Sequence, residues 1–88
     1  MTNTQHRIER LRQVYFHNCR EPFYTRNCEY INTIDFDNNT VYYVQYVQQS
    51  CGCCSYPEDF DTELTHILGF MEDDEFEEMI QHYITYKN

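Results

Sequence analysis

The residues with the most chemical potential per position lie in Ser50-Cys51-Gly52-Cys53-Cys54-Ser55. Cys51 and Cys54 form a C-x-x-C pair, a spacing that lets two thiolates grip one tetrahedral zinc ion. Two further ligands would have to come from His17, Cys19, Cys28 or His66, and the set Cys51, Cys54, Cys19 and Cys28 defines a small zinc-stabilised structural or regulatory module. Zinc would also add folding energy to a small core. However, His17-x-Cys19 and a single Cys28 do not make a second regular knuckle, and cysteine packs readily as a small buried side chain. The expectation is no cofactor, with zinc as the alternative.

The same C-x-x-C pair makes a poor redox centre. A reactive thiolate needs a cation or a helix N-terminus beside it, whereas Glu58 and Asp59 follow closely here, and nearby carboxylates raise a thiol pKa. No local motif joins a cysteine to His66 or His82 as nucleophile and base. Asp35-x-Asp37-x-Asn39 resembles a fragment of a calcium loop but lacks the following glycine and the final glutamate. There is no phosphate-binding glycine loop, so the chain reads as a non-enzyme.

A charged surface is the stronger signal. Positions 58 to 78 hold ten acids (Glu58, Asp59, Asp61, Glu63, Glu72, Asp73, Asp74, Glu75, Glu77, Glu78) and no Lys or Arg. A surface that serves solubility alone usually mixes signs. Phosphates along one DNA strand recur on the order of 6–7 Å apart, and carboxylates on successive turns of a helix recur at about 5–6 Å. A rigid acidic edge, Asp74 and Glu78 continued by Glu58, Asp59, Asp61 and Glu63, is therefore expected to occupy a groove built for nucleic acid, with Glu75 and Glu77 on its flanks. The net charge of −9 is uneven: residues 1–30 carry five arginines against three glutamates, and residues 31–88 carry Lys87 against twelve acids. Such asymmetry favours a basic protein partner and disfavours direct contact with nucleic acid.

The elements that must position these groups follow from periodicity. The 88 residues are read as one domain, residues 1–88. Ile8, Leu11, Val14 and Tyr15 predict an amphipathic helix over 4–18, ended by Glu21-Pro22. Arg7, Arg10 and Arg12 lie off its apolar stripe and read as a solvated face or as counter-charge to the acidic half. Cys28–Phe36 and Thr40–Gln48 predict strands joined by a tight turn at Asn38-Asn39. That register sets Phe36 opposite Val41, Ile34 opposite Tyr43, Asn32 opposite Gln45 and Tyr30 opposite Val47 on the core face. The other face would carry Ile31, Thr33, Asp35, Tyr42, Val44 and Tyr46. It is too apolar for an ordinary wet face, so the chain or a second copy is expected to cover it.

The cysteine loop then extends through Tyr56-Pro57. Asp59–Phe70 fits either a short helix capped by Asp59 or Asp61 and ended by Gly69, or a third strand with Leu64, His66 and Leu68 on one side; a short helix or irregular segment is preferred. Phe76, Met79, Ile80, Tyr83 and Ile84 predict a helix from Asp73 to Tyr86 whose first-turn acids oppose its dipole. The fold class is thus α+β: an N-terminal helix, an antiparallel β-hairpin with room for a third strand, and an acidic amphipathic C-terminal helix. With no apolar run near the roughly 18 residues that span a bilayer and no secretory segment, the expected location is cytoplasmic.

In size and composition the chain resembles the small acidic early proteins of bacteriophages, through the acids of Glu58–Glu78 and the hairpin Tyr30–Tyr46. Several such proteins inhibit host defence nucleases, CRISPR effectors or transcription machinery by covering their nucleic-acid surfaces. The resemblance implies a host-takeover protein in the host cytoplasm. The resemblance assigns no residue; the acidic stretch itself is expected to bind a basic host surface through Glu58, Asp59, Asp61, Glu63, Asp74, Glu75, Glu77 and Glu78, with Tyr42 and Tyr46 as apolar anchors. A homodimer through the tyrosine face is a further expectation.

Overall fold

The computed structural model describes residues 3–17, 19–48 and 54–87. Three helices and one antiparallel sheet of four strands make an α+β fold: α1 (Asn3–Val14), β1 (Phe23–Tyr24), β2 (Glu29–Asp35), β3 (Thr40–Gln48), β4 (Ser55–Glu63), α2 (Leu64–Phe70) and α3 (Asp73–Thr85). The strands lie in the order β1-β2-β3-β4. The helices pack on one sheet face, where Phe23, Ile31, Ile34 and Val41 meet Leu11, Leu64, Leu68, Phe76, Met79 and Tyr83 in the core.

The hairpin between β2 and β3 is wider than the sequence suggests. Asp35 pairs with Thr40, which leaves Phe36 to Asn39 as a four-residue turn, and Ile34 lies opposite Val41 rather than Tyr43. An extra residue between Ile31 and Thr33 forms a β-bulge, and the slip turns Ile31 into the core with 2 % of its surface exposed. Tyr30 moves to the outer face opposite Val44. The Tyr15 hydroxyl accepts the Ile34 N–H at 3.0 Å, so a side chain of the helical layer satisfies the backbone beside the bulge.

Residues 55–70 hold both alternatives in succession. Ser55–Glu63 pairs along its whole length with β3, including Tyr56 and Pro57, which the sequence reading left in a loop. A proline and four acids are tolerated because β4 is an edge strand: only one side of its backbone joins the ladder, and charge on the other discourages edge-to-edge pairing between copies. Helix α2 then begins at Leu64, with Leu64, Ile67 and Leu68 buried and Gly69 inside it rather than ending it. Neither Asp59 nor Asp61 caps this helix. Asn39, held at φ 53° in the β2–β3 turn, accepts the Leu64 N–H on its carbonyl at 2.9 Å and the Thr65 N–H on Oδ1 at 3.1 Å.

Replacing Asn39 tests this clip between turn and helix. Asn39→Ala loses the side-chain cap and the short polar side chain that lets asparagine tolerate left-handed backbone better than alanine, for an expected loss of about 1–3 kcal/mol. Asn39→Gly relieves the backbone term and should cost less. Urea denaturation of the two variants separates these contributions.

Helix α3 buries Phe76, Met79, Ile80 and Tyr83 as its periodicity requires, but also Glu75. Ile84, expected on the same stripe, is 51 % exposed, so the buried face of the helix ends at Tyr83. Among the described residues no helix is long and apolar enough to cross a membrane.

Candidate functional site

The acids of positions 58 to 78 divide between two layers. Those of α3 meet arginines from the other end of the chain. Arg7 bonds Asp73, Arg10 bonds both oxygens of Glu77, and Arg26 spans Asp74 at 3.1 Å and Glu78 at 3.0 Å. Glu75 is buried and accepts the Arg26 backbone N–H at 2.6 Å. The expected unneutralised helix edge is therefore largely neutralised from within. No arginine is near in sequence, but α1 and the turn after β1 bring three of them against α3.

These pairs set the acid response of the fold. Hydrogen bonding from Arg26 holds the Asp74 carboxyl below its ordinary pKa, and Arg10 does the same for Glu77. Asp35 is lowered by the side-chain amide and backbone N–H of Asn38. A carboxyl depressed in the folded state contributes stability that is fully present above its unfolded pKa and lost as pH falls through the folded value. Thermal melts followed by circular dichroism should therefore be flat from neutrality to about pH 5 and fall below about pH 4. Added salt should shrink the acid-sensitive part, because these carboxylates are exposed.

The acids of β4 are placed differently. No ion pair among the described residues reaches Glu58, Asp59, Asp61 or Glu63. Strand alternation puts Asp59, Asp61 and Glu63 on the outer sheet face, opposite Val44, Tyr42 and Thr40 respectively. Glu58, opposite Gln45, projects to the other face.

Across the outer face runs a set of aromatic rings. Tyr24 stacks on Tyr30 at 4.2 Å, and Tyr30 meets Tyr46 edge to face at 6.0 Å. Tyr42 lies two residues along β3 from Val44, beside Asp61. Tyr24, Tyr42 and Tyr46 are 50 %, 44 % and 57 % exposed. No helix covers this face among the described residues, so coverage by the chain, one of the two expectations, is not what the fold provides. The Tyr24 hydroxyl is pushed up to about 12 by its hydrogen bond with Cys28.

The structure thus brings together Tyr42, Tyr46, Asp59, Asp61 and Glu63, and adds Tyr24 and Tyr30, which sequence reasoning missed. Tyr24 sits in a two-residue strand too short for any period to show, and Tyr30 was assigned to the core by a register without the bulge. Asp74, Glu75, Glu77 and Glu78 belong to the helical layer.

Of the candidate zinc ligands, Cys19, Cys28 and Cys54 lie in three separate segments of the described chain. Cys19 packs against the core, with its Sγ 3.0 Å from the Glu21 carbonyl oxygen, whereas Cys28 lies beside Tyr24 in the β1–β2 turn. Cys51 and Cys53 lie outside the described residues, and Cys54 is exposed just before β4. Among the described residues no group of three or more His, Cys, Asp or Glu side chains is spaced to hold a metal ion. Comparison with protein-family models, with curated proteins and with solved structures finds no match to this chain.

Proposed function

We propose that this chain is a non-enzymatic inhibitor or modulator that docks the outer face of its sheet onto a basic, nucleic-acid-handling surface of a host protein. One observation carries the reading: three carboxylates on one edge strand lie beside exposed tyrosines, with no cation among the described residues paired to them. Alternate residues of a strand recur at about 6.6–6.8 Å, so Asp59, Asp61 and Glu63 form a ladder closer to the spacing of phosphates along a strand than helix turns provide. The tyrosines supply what a phosphate ladder lacks, large amphipathic area that anchors an interface at low entropic cost. The likeness to bacteriophage early proteins, in acidity and size, supports the same class of partner.

Affinity capture from host extract tests this with the wild-type chain and the triple variant Asp59→Lys/Asp61→Lys/Glu63→Lys as baits. The wild type is expected to retain a nucleic-acid-binding protein, to release it as salt rises, and to compete with duplex DNA for it. Charge reversal on β4 should weaken the interaction about tenfold or more. Retention by the triple variant equal to the wild type, or binding indifferent to ionic strength, would overturn the reading.

A further inference from the structure

On the helical side of the sheet, away from the tyrosine face, lies a cavity of about 140 Å³ between the β1–β2 turn, the sheet and α2. Two carboxylates line it, Glu29 and Glu75, and no Lys or Arg does. Glu75 is 6 % exposed, and its Oε2 is spent on the Arg26 N–H. Its other oxygen, Oε1, takes no part in that bond, and Glu75 lines the cavity. Glu29 Oε1 accepts the buried Thr25 hydroxyl at 2.9 Å, so that carboxylate is fixed in place. Arg26, the nearest cation in sequence, turns its guanidinium outward to Asp74 and Glu78.

The other walls supply a complementary pair of environments. Ile67 and Met71 make an apolar side, while Tyr43 and Thr62 offer hydroxyl oxygens. Phe70 stands at the mouth, 79 % exposed, with its ring 4.9 Å from that of His66. Burial raises the pKa of the Tyr43 hydroxyl, with the negative field of Glu29 and Asp61 adding to it.

We propose that this cavity binds a small organic cation, a primary ammonium on a short alkyl stem. Two carboxylates without a counter-cation, one of them buried, favour positive charge in a place where solvent screens it little. Among the described residues, Glu29 and Glu75 belong to no group of three or more His, Cys, Asp or Glu side chains that could hold a metal ion. An ammonium, by contrast, donates three hydrogen bonds over a wider radius, to the two carboxylates and a hydroxyl. The stem lies along Ile67 and Met71, and the Phe70 ring covers the cation from the mouth. A cavity near 150 Å³ accommodates benzene, so a four-carbon amine fits. The cation has two sources, a free alkylamine or the side chain of a lysine on another protein.

Titration of the isotope-labelled chain with n-butylammonium chloride, at ionic strength held constant with sodium chloride, tests the site by amide NMR. Saturable shifts confined to Thr25–Glu29, Tyr43, Thr62 and His66–Met71 are expected, with none from n-butanol. Glu29→Gln/Glu75→Gln keeps an acceptor for the Arg26 N–H and should weaken binding about tenfold or more. Phe70→Ala, at an exposed position that leaves the core untouched, should weaken it about threefold and covers the case in which the double variant fails to fold. Absence of saturation, equal binding of n-butanol, or unchanged affinity in a folded variant would overturn the proposal. Tighter binding of Nα-acetyl-lysine N-methylamide than of n-butylammonium assigns the site to a protein side chain, and the reverse order assigns it to a free amine. The site is independent of the sheet-face reading, because Asp59, Asp61 and Glu63 do not line it.

Discussion

Arg7→Met is expected to lower the stability of the fold by about 2–4 kcal/mol, far more than a surface arginine normally contributes. Its side chain is only 14 % exposed. One guanidinium nitrogen donates to the carbonyl oxygens of Leu68 and Met71, the latter at 2.6 Å, and the other donates to Asp73. Arg7 therefore closes the C-terminal end of α2, where orphan carbonyls gather, while tying α1 to the start of α3. It also stands over the Phe76 ring, 5.3 Å from its centroid. Methionine keeps the stem and removes every donor, which leaves two part-buried carbonyls without partners. Arg12→Met is the control: exposed and placed over Phe36, it should cost no more than about 1 kcal/mol. Urea denaturation at neutral pH measures both, and equal effects would mean that the α2 carbonyls are satisfied by solvent.

Leu11→Ala should be at least as damaging, at about 2–5 kcal/mol. Leu11 is the one buried residue of α1, with 0 % of its surface exposed. The removed side chain loses its transfer energy and leaves a cavity in the core that the helices fill only in part. A chain of this size is stable by about 5–15 kcal/mol in total, and each kcal/mol lost lowers the melting temperature by about 4–8 °C. Calorimetry should therefore show a large downward shift. Val14→Ala, at a partly buried position on the same stripe, should move it less.

Of these two sites, Leu11 is the one that helical period marks in the sequence. Leu11 and the stripe Phe76, Met79, Ile80 and Tyr83 declare themselves through helical period, and β3 through its run of Val and Tyr. The α+β class follows from them. Arg7 was legible only as counter-charge to the acidic half, one of two readings of the α1 arginines; its partners are about sixty positions away, and a count of nearby charges cannot name them. For the same reason the acids of α3 looked unpaired. Strand β4 was hidden by composition, since Pro57 and four acids suit an edge strand but disfavour an interior one. The bulge at Asn32 was invisible because a tertiary contact, the Tyr15 hydroxyl on the Ile34 N–H, supports it. Tyr42 and Tyr46 were correctly placed on the outer face because alternation along β3 does not depend on the β2 register.

The internal pairing of arginines with α3 has an electrical result. Positive charge is spent within the helical layer, and the carboxylates of β4 remain uncompensated at one margin of the sheet, so the molecule carries a dipole as well as a net charge. Near any cation-rich surface such a body experiences a torque before it touches. It arrives already turned, with the margin of the sheet leading.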